Sequence, residues 1–377
     1  MRANPESFLL GHAQAADWRD ATTACLQQLG EIPPTATIGF LYATDTYADA
    51  LPAIYERLRI ATGVTHWTGT VGLGICATGQ EYHQAPGLVV MIASLPEDSF
   101  RILPFYGRAA DRTPASWDDW LRHAPVRLAV LNGDPGNGML PELLKQLDTE
   151  LDGPQLAGGL SSSRTTHPQI ADGTLDDSLS GVVFNDTVKI AAGLTQGCSP
   201  IAGQHVITDC NNNIINSIDG RPALDVLNED IGEILARDLR RAAGYIFAGL
   251  PVDDADSGDY LVRNLVGVDI EGKRVAIGDL IHPGQKLRFC RRDGHSAWQD
   301  MQRMLDELKA RTGATSPRGG LYFSCVGRGE GLFGPGSAEV CMIRDTLGDF
   351  PLAGFFGNGE IFNRRLYGYT GVLVLFL

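Results

Sequence analysis

The stretch from Gly319 to Leu377 decides the predicted fold. It begins with the apolar run Gly320-Leu321-Tyr322-Phe323-Ser324-Cys325-Val326, followed by the glycine-rich segment Gly327-Arg328-Gly329-Glu330-Gly331-Leu332-Phe333-Gly334-Pro335-Gly336 and a short amphipathic helical pattern. A second glycine-rich segment, Gly354-Phe355-Phe356-Gly357-Asn358-Gly359-Glu360, precedes the closing apolar run Gly371-Val372-Leu373-Val374-Leu375-Phe376-Leu377. Short apolar runs bounded by glycine are typical of buried strands. The pattern predicts a strand–helix–strand–strand unit whose two glycine-rich turns form the rim of a pocket.

The same order of elements recurs twice nearer the N-terminus. Residues Leu51–Leu58 match Leu140–Leu147 at a constant offset (140 minus 51, or 89 residues). The same offset aligns the flanking elements: Gly69 with Gly158, and Ile38–Tyr42 with Arg127–Leu131. We therefore predict an α/β fold with three copies of a β-α-β-β unit, forming two packed modules with mixed sheets. In each unit the first two strands should be parallel, with a right-handed crossover, and the third should return antiparallel.

The predicted domain organisation follows from these units. Residues 1–34 carry apolar side chains at helical spacing that end at Gly30, which predicts an N-terminal helix. Residues 35–218 form a first module with two of the units. Residues 219–377 form a second module, in which the third unit occupies 319–377 after an inserted region of strands and helices.

Composition excludes several classes of function. The chain has 377 residues, a net charge of −14 and a pI of about 5.0, so nucleic acid and anionic membrane surfaces are poor partners. Seven scattered cysteines without a C-x-x-C motif argue against a disulfide framework or a structural zinc site. The sequence shows neither a signal-peptide pattern nor an apolar run of about 20 residues that could span a bilayer. We expect a soluble cytoplasmic protein.

Ligands of open α/β sheets bind beyond the carboxyl ends of the parallel strands, where glycine allows close approach and leaves N–H groups available. Arg328 could hold a carboxylate bidentately, and Asp134 or Glu360 could hold an ammonium group. The set suits a small zwitterion such as an amino acid. The predicted ligand-binding residues are Ser324, Cys325, Gly327, Arg328, Gly357, Asn358, Gly359, Glu360, Asn132, Asp134, Gly72, Gly159 and Ser161.

Catalytic, cofactor and metal signals are weaker. Cys325 lies between a strand and a helix, close to Arg328, and is a weak candidate nucleophile, since the third unit has no histidine. Gly329-Glu330-Gly331-Leu332-Phe333-Gly334 matches the G-x-G-x-x-G dinucleotide pattern, but Pro335-Gly336 intervene before the helix and the sister units lack it. Histidines and cysteines do not occur at metal-ligand spacing. We therefore predict neither a cofactor nor a metal.

From about Thr35 onwards the chain resembles the FIST (F-box and intracellular signal transduction) family. The motifs that carry the resemblance are Phe323-Ser324-Cys325-Val326-Gly327-Arg328-Gly329, Gly354-Phe355-Phe356-Gly357-Asn358-Gly359-Glu360-Ile361, Tyr369-Thr370-Gly371-Val372-Leu373, Gly197-Cys198-Ser199-Pro200-Ile201, Asp219-Gly220-Arg221-Pro222-Ala223 and Ile277-Gly278-Asp279. The resemblance implies a FIST N and a FIST C module, in a stand-alone protein without room for a kinase, a cyclase or an F-box. It also implies a sensory role in binding amino acids or similar small molecules.

We therefore expect a sensory protein that binds a small polar metabolite and passes its state to a signalling partner. Two alternatives remain open at this stage: an enzyme that acts on a small metabolite through Cys325 or a carboxylate, and a protein-interaction scaffold without a ligand.

Overall fold

The computed structural model describes residues 7–108, 111–236, 244–252, 260–313 and 315–377. The strands are β1 (Phe8–Gln14), β2 (Ile38–Thr44), β3 (His66–Gly72), β4 (Gly74–Ala77), β5 (Gln80–His83), β6 (Gly87–Ala93), β7 (Phe100–Tyr106), β8 (Val126–Gly133), β9 (Gln155–Leu160), β10 (Gln169–Ala171), β11 (Thr174–Leu175), β12 (Leu179–Asn185), β13 (Ile190–Gln196), β14 (Cys198–Pro200), β15 (His205–Asn211), β16 (Ile214–Ile218), β17 (Arg221–Pro222), β18 (Ile246–Pro251), β19 (Tyr260–Asp269), β20 (Arg274–Ile277), β21 (Lys286–Arg292), β22 (Gly319–Cys325), β23 (Leu352–Gly357), β24 (Glu360–Phe362), β25 (Arg365–Tyr367) and β26 (Thr370–Phe376). The α-helices are α1 (Trp18–Leu29), α2 (Leu51–Thr62), α3 (Asp118–His123), α4 (Leu140–Glu150), α5 (Ala223–Ala236), α6 (Gly294–Thr312), α7 (Glu330–Phe333) and α8 (Ala338–Leu347).

The chain divides into two compact units. The larger unit consists of residues 1–195, 301–366 and 370–377, and the smaller unit of residues 196–300 and 367–369. The segment 319–377 thus belongs, except for residues 367–369, to the same compact unit as residues 1–195. We call β1–β6 the first segment, β7–β12 the second segment, and β13 with β22–β26 the third segment. These units divide the chain at other places than the predicted modules 35–218 and 219–377, whose boundaries stay a prediction.

In the described part of the larger unit, the strands form three six-stranded mixed sheets. Their strand orders are β1-β6-β2-β3-β10-β11, β7-β12-β8-β9-β24-β25 and β13-β26-β22-β23-β4-β5. At the centre of each sheet lies a parallel pair: β2 with β3, β8 with β9, and β22 with β23. A third strand pairs antiparallel with the first: β6 with β2, β12 with β8, and β26 with β22. The α/β fold class with mixed sheets is confirmed, whereas descent of these segments from three copies of one repeat stays a prediction.

The sheets exchange hairpins in a closed cycle. The hairpin β4–β5 of the first segment joins the third sheet through β23. The hairpin β10–β11 joins the first sheet through β3, and β24 with β25 joins the second sheet through β9. Each six-stranded sheet is therefore built from two different segments of the chain.

In each parallel pair, one glycine allows the two strands to approach closely. We call these residues, Gly69, Gly158 and Gly354, the close-approach glycines. A Cβ on these residues would lie 1.8, 1.9 and 1.8 Å from the carbonyl oxygens of Leu41, Leu131 and Tyr322, respectively. The predicted match of Gly69 with Gly158 therefore joins equivalent positions. The predicted alignment of the first strands is wrong by one residue, because Leu41 and Leu131 are 90 rather than 89 residues apart (131 minus 41). A shift of one residue moves every side chain to the opposite face of a strand.

Several glycines that the sequence analysis singled out lie inside strands. Gly69 and Gly72 belong to β3, Gly159 belongs to β9, and Gly354 and Gly357 belong to β23. Glycine is needed at these positions because neighbouring atoms, mostly of the main chain, lie too close for a side chain. The connection between β3 and β4 consists of Leu73 alone.

Helices cover one face of each sheet, and the opposite faces pack on one another. Apolar residues of α1 and α2 pack on the first sheet, those of α4 on the second, and those of α6 and α8 on the third. On the opposite faces, the rings of Tyr42 and Phe355 lie 5.2 Å apart and those of Phe184 and Phe376 lie 5.5 Å apart. Aromatic contacts of this kind add to the burial of apolar area.

The N-terminal residues differ from the prediction of a single helix over 1–34. Phe8–Gln14 form β1, which pairs antiparallel with β6 at the edge of the first sheet, and the helix begins only at Trp18. Asp17 caps it by accepting a hydrogen bond from the Arg19 amide. Residues 1–6 of the predicted helix lie outside the described residues.

The smaller unit combines an antiparallel sheet with α5. Its strands run in the order β14-β21-β15-β16-β20-β19-β18, and the apolar residues of α5 pack on them. Both ring nitrogens of His205 contact a carboxylate in this unit. Nδ1 lies 2.6 Å from Asp219 and Nε2 lies 2.9 Å from Asp230. Because neutral imidazole carries one N–H, both contacts can be hydrogen bonds donated by His205 only in the charged form.

We predict that Gly158→Ala destabilises the larger unit strongly. The added Cβ would collide with the main chain of Leu131, and overpacking of this kind costs about 2–3 kcal/mol or more. Gly153→Ala is the control, because Gly153 also has a positive φ (72°) but its Cβ would point into open space among the described residues. Urea unfolding should show the larger loss for Gly158→Ala, and equal losses would contradict the steric argument.

We predict that His205 makes stability depend on pH. Burial lowers the pKa of His205 and hydrogen bonds to Asp219 and Asp230 raise it, with a net increase above the ordinary value. Its contribution is therefore complete below the unfolded pKa of about 6.5 and is lost as the pH rises through the folded pKa. The difference in unfolding free energy between wild type and His205→Gln should shrink above that pH, whereas the exposed His123→Gln should show little difference throughout. A difference for His205→Gln that stays constant with pH would contradict this role.

Candidate functional site

The turn after β22 carries Arg328 into the interior. The Arg328 amide donates to the carbonyl of Cys325 at 2.8 Å, which closes the turn, and the Arg328 side chain is fully buried. A guanidinium group cannot lose its charge at physiological pH, so its burial requires a compensating anion.

Glu339, in the first turn of α8, supplies that anion. Its Oε1 accepts hydrogen bonds from the Tyr322 hydroxyl (2.6 Å), the Ser324 hydroxyl (2.9 Å) and Arg328 Nε (2.8 Å). Its Oε2 accepts a hydrogen bond from the Gly329 amide at 2.9 Å. Burial lowers the pKa of Arg328 and the Glu339 carboxylate raises it, and the net pKa lies above the ordinary value.

The two terminal nitrogens of Arg328 differ from Nε, which binds Glu339. Nη1 and Nη2 are buried and have no hydrogen-bond partner among the described residues. One face of the guanidinium is covered by the Phe333 ring, whose centroid lies 4.9 Å from Cζ. Buried N–H groups are nearly always hydrogen-bonded in folded proteins, so this pair of donors could bind an acceptor that the described residues do not supply.

Glu360 is a second buried group near Arg328. Its Oε2 accepts hydrogen bonds from the Thr370 amide (3.1 Å) and hydroxyl (2.7 Å), while Oε1 has no partner within the part of the chain that the structure describes. Burial raises the pKa of Glu360 to about 8, although the Thr370 hydrogen bonds, the charge of Arg328 and a hydrogen bond from Cys325 lower it. We call Cys325, Arg328, Glu339, Glu360 and Thr370 the Arg328 site.

The pairing registers give Glu360 two equivalents in the other sheets. Ile75, Gln169 and Glu360 each lie opposite the residue that follows a close-approach glycine, and we call them the corner residues. Ile75 packs against Gly87, while Gln169 accepts hydrogen bonds from Ser178 and Ser180 and donates one to the Ser178 carbonyl. The first two corners are thus apolar or hydrogen-bonded, and the third holds a carboxyl group.

Arg328 also has two equivalents, each six residues beyond the partner of a close-approach glycine. These are Tyr47 (six beyond Leu41) and Asn137 (six beyond Leu131). Tyr47 donates to the Ala15 carbonyl, and Asn137 donates to the Gly107 carbonyl at 3.1 Å. Their side chains are thus bonded to the main chain, and the third segment alone among these three carries a charged side chain at this position.

The other predicted residues have mainly structural partners. Asp134 accepts hydrogen bonds from the amides of Gly136 and Asp177. The Ser161 hydroxyl donates to the Gly133 carbonyl at 3.2 Å and lies 3.2 Å from His167. Asn132 donates to Thr68 across two sheets, and its Oδ1 lacks a partner within the described ranges. The structure does not bring these residues into hydrogen-bond contact with the Arg328 site.

The glycine-rich turns bond to one another rather than presenting open amides. The Asn358 amide donates to the Leu160 carbonyl, and the Ser162 amide donates to the Val71 carbonyl. The Ser162 hydroxyl completes the ring by donating to the Phe356 carbonyl and accepting from the Leu73 amide. The expectation that glycine turns offer their N–H groups to a ligand is therefore wrong for Asn358 and Ser161, whose amides are used within the fold. Four of the five predicted glycines line this junction (Gly72, Gly159, Gly357 and Gly359), and Gly327 lies in the turn after β22.

Comparison with known proteins identifies the family. A model of the FIST N domain matches residues 37–221, and a model of the FIST C domain matches residues 223–363. The chain belongs to the FIST family. FIST domains are associated with signal transduction and small-ligand sensing.

Curated relatives of this FIST protein come from mycobacteria. It is 29% identical over 348 residues to an uncharacterized protein of Mycobacterium tuberculosis, covering 89% of this chain and 88% of the relative. It is also 29% identical over 370 residues to an uncharacterized protein of Mycobacterium bovis, covering 92% of each. None of the described helices is long and apolar enough to cross a membrane.

Sequence reasoning missed several residues that belong to the Arg328 site or contact it. Glu339 lies in a helical segment that supplied no motif, Phe333 belongs to a predicted glycine-rich segment, and Thr370 belongs to a family motif to which no role was assigned. The Glu81–His83 pair of the first segment reaches the same region, because a Cβ on Gly329 would lie 2.9 Å from His83 Nε2. Only the hairpin exchange brings His83 there, so spacing along the chain could not have found it.

We predict that Glu360→Gln stabilises the FIST protein at pH 8 and removes a pH dependence. Between the unfolded pKa of about 4.3 and the folded pKa of about 8, the unfolded chain is ionised while folded Glu360 keeps its proton. The stability of the wild type should therefore fall as the pH rises through this window. Glutamine cannot ionise, and Gln169 shows that it fits the equivalent corner.

Urea unfolding from pH 4.5 to 8.5 would measure this effect, with the exposed Glu142→Gln as control. The advantage of Glu360→Gln over wild type should grow with pH. A difference that does not change with pH would show that Glu360 is ionised in the folded state throughout.

Proposed function

We propose that this FIST protein is a sensor that binds a small polar metabolite at the Arg328 site and passes its state to a signalling partner. The observation that carries the proposal is the pair of buried Arg328 terminal nitrogens described above. A carboxylate is the natural occupant, because its two oxygens match two parallel N–H donors. An amino acid or a similar carboxylate-bearing metabolite would fit this requirement.

Glu339 supports this role by positioning the guanidinium. It binds Nε and thereby orients the side chain, while its carboxylate accepts three further hydrogen bonds, from the Tyr322 and Ser324 hydroxyls and the Gly329 amide. Glu360 Oε1 offers a second polar contact for the ligand, either as a proton donor or, when ionised, as an acceptor for an ammonium group. A cytoplasmic location is proposed with it, since the seven cysteines, all among the described residues, form no disulfide, which is typical of a reducing compartment.

The test is a ligand screen with matched arginine variants. Thermal shift and calorimetry with amino acids and other small carboxylates should find a ligand of the wild type. Arg328→Lys keeps the charge but removes the paired donors, and should weaken binding about tenfold to a hundredfold, as expected for a lost charge-assisted hydrogen bond of about 1.5–3 kcal/mol.

Arg122→Lys, at an exposed arginine, is the control and should bind as wild type does. The unfolding midpoint of each variant without ligand separates weakened binding from a weakened fold. Equal affinity of wild type and Arg328→Lys for every ligand found would contradict the proposed site.

A further inference from the structure

The segment that covers Arg328 is short, and the part between its two ends is weakly anchored in the larger unit. It runs from Gly329 to Gly336 and contains α7, whose four residues are all exposed or half-buried. Beyond Gly329, the hydrogen bonds described for its amides are local: Leu332 and Phe333 donate to the Gly329 carbonyl, and Gly334 donates to the Glu330 carbonyl. Phe333 is the residue that packs on the core and on Arg328.

The segment is held firmly at both ends. At one end the Gly329 amide donates to Glu339, and His83 packs against Gly329. At the other end Ser337 accepts a hydrogen bond from the Glu81 amide at 2.9 Å. Next to Ser337, α8 is anchored by buried side chains that include Glu339 and Val340.

Glycines with positive φ flank α7. The φ angles are 58° at Gly329, 91° at Gly334 and 83° at Gly336. Glycine reaches such conformations without a steric penalty, and a change of a few dihedral angles at these positions would swing α7 without disturbing the sheet.

We propose that residues 329–336 form a lid over Arg328 and that Phe333 is the side chain that a ligand displaces. The proposal rests on the proposed function for the identity of the ligand. The lid itself can be tested without a ligand, since its opening exposes a buried arginine.

The experiment measures modification of Arg328 by p-hydroxyphenylglyoxal, an arginine-specific dicarbonyl, in the intact folded protein. Peptide mass spectrometry gives the rate at Arg328, and the exposed Arg122 reports the rate without protection. Alkylation of Cys76, a fully buried core thiol, by iodoacetamide reports global unfolding. If the lid opens locally, Arg328 should be protected about a hundredfold relative to Arg122, and Cys76 far more strongly relative to a free thiol.

Two pairs of variants locate the opening. Phe333→Ala should speed modification of Arg328 about tenfold, whereas Leu332→Ala on the same helical turn should change it little. Gly334→Ala and Gly348→Ala form a closer pair, because their φ/ψ angles are 91°/177° and 98°/174° and both follow the end of a helix. Alanine is strained equally at both, so only Gly334→Ala, which disfavours the closed lid, should speed modification of Arg328, by about tenfold.

The outcomes distinguish the two proposals. Equal protection of Arg328 and Cys76 in the wild type, or equal effects of Gly334→Ala and Gly348→Ala, would overturn the lid. If Phe333→Ala also exposes Cys76, that variant unfolds globally, and the comparison of Gly334→Ala with Gly348→Ala then decides whether the lid opens. If the lid opens as expected but every carboxylate in the screen fails to slow modification of Arg328, the proposed function fails and the lid stands. If a ligand binds through Arg328 and no local opening is detected, the proposed binding site stands and the lid proposal fails.

Discussion

Hairpin exchange is the constraint on which the larger unit depends. Each sheet is completed by a hairpin from another segment, and the three exchanges close into a cycle. Ala77 pairs with Ala353, so this contact closes a loop of 276 residues (353 minus 77). Because loop closure must be completed before such contacts stabilise the fold, the third sheet cannot form until nearly the whole chain is available. Hydrogen bonds to the carbonyls of Val71, Leu160 and Phe356 join the three turns where the segments meet.

This arrangement separates the backbone from the chemistry. The close-approach glycines and the parallel pairs recur in all three sheets, so they define the scaffold. The corner residues and the residues equivalent to Arg328 differ from one segment of the chain to the next, so they define what each segment places at its corner. Two corners are filled by apolar packing or by hydrogen bonds to the main chain. The third combines a buried guanidinium with a buried carboxyl group, which is costly for a fold and typical of a functional site.

The sequence allowed the fold class to be predicted because glycine and apolar periodicity are local signals. The parallel pairs β2–β3, β8–β9 and β22–β23 follow from such patterns. Hairpin exchange could not be predicted, since it depends on contacts between residues that lie about 100 to 280 positions apart. The same limit applied to the site: Arg328 and Glu360 stand in conspicuous glycine-rich segments, but Glu339, Phe333 and His83 join them only through the fold. Gly69 and Gly158 also showed that glycine at a strand can indicate close packing rather than a turn.

Electrostatics explains how such a site can accept an anion. Arg328 and Glu339 together carry no net charge, so a bound carboxylate would add one negative charge to a buried region. If Glu360 were also ionised, two negative charges would lie near one another at low effective dielectric constant, which is strongly unfavourable. Glu360 keeps its proton because burial raises its pKa to about 8, which outweighs the Thr370 hydrogen bonds to Oε2 that favour the ionised form. A ligand with an ammonium group would reverse this preference and expel the proton, so the charge of the ligand decides the protonation state of Glu360.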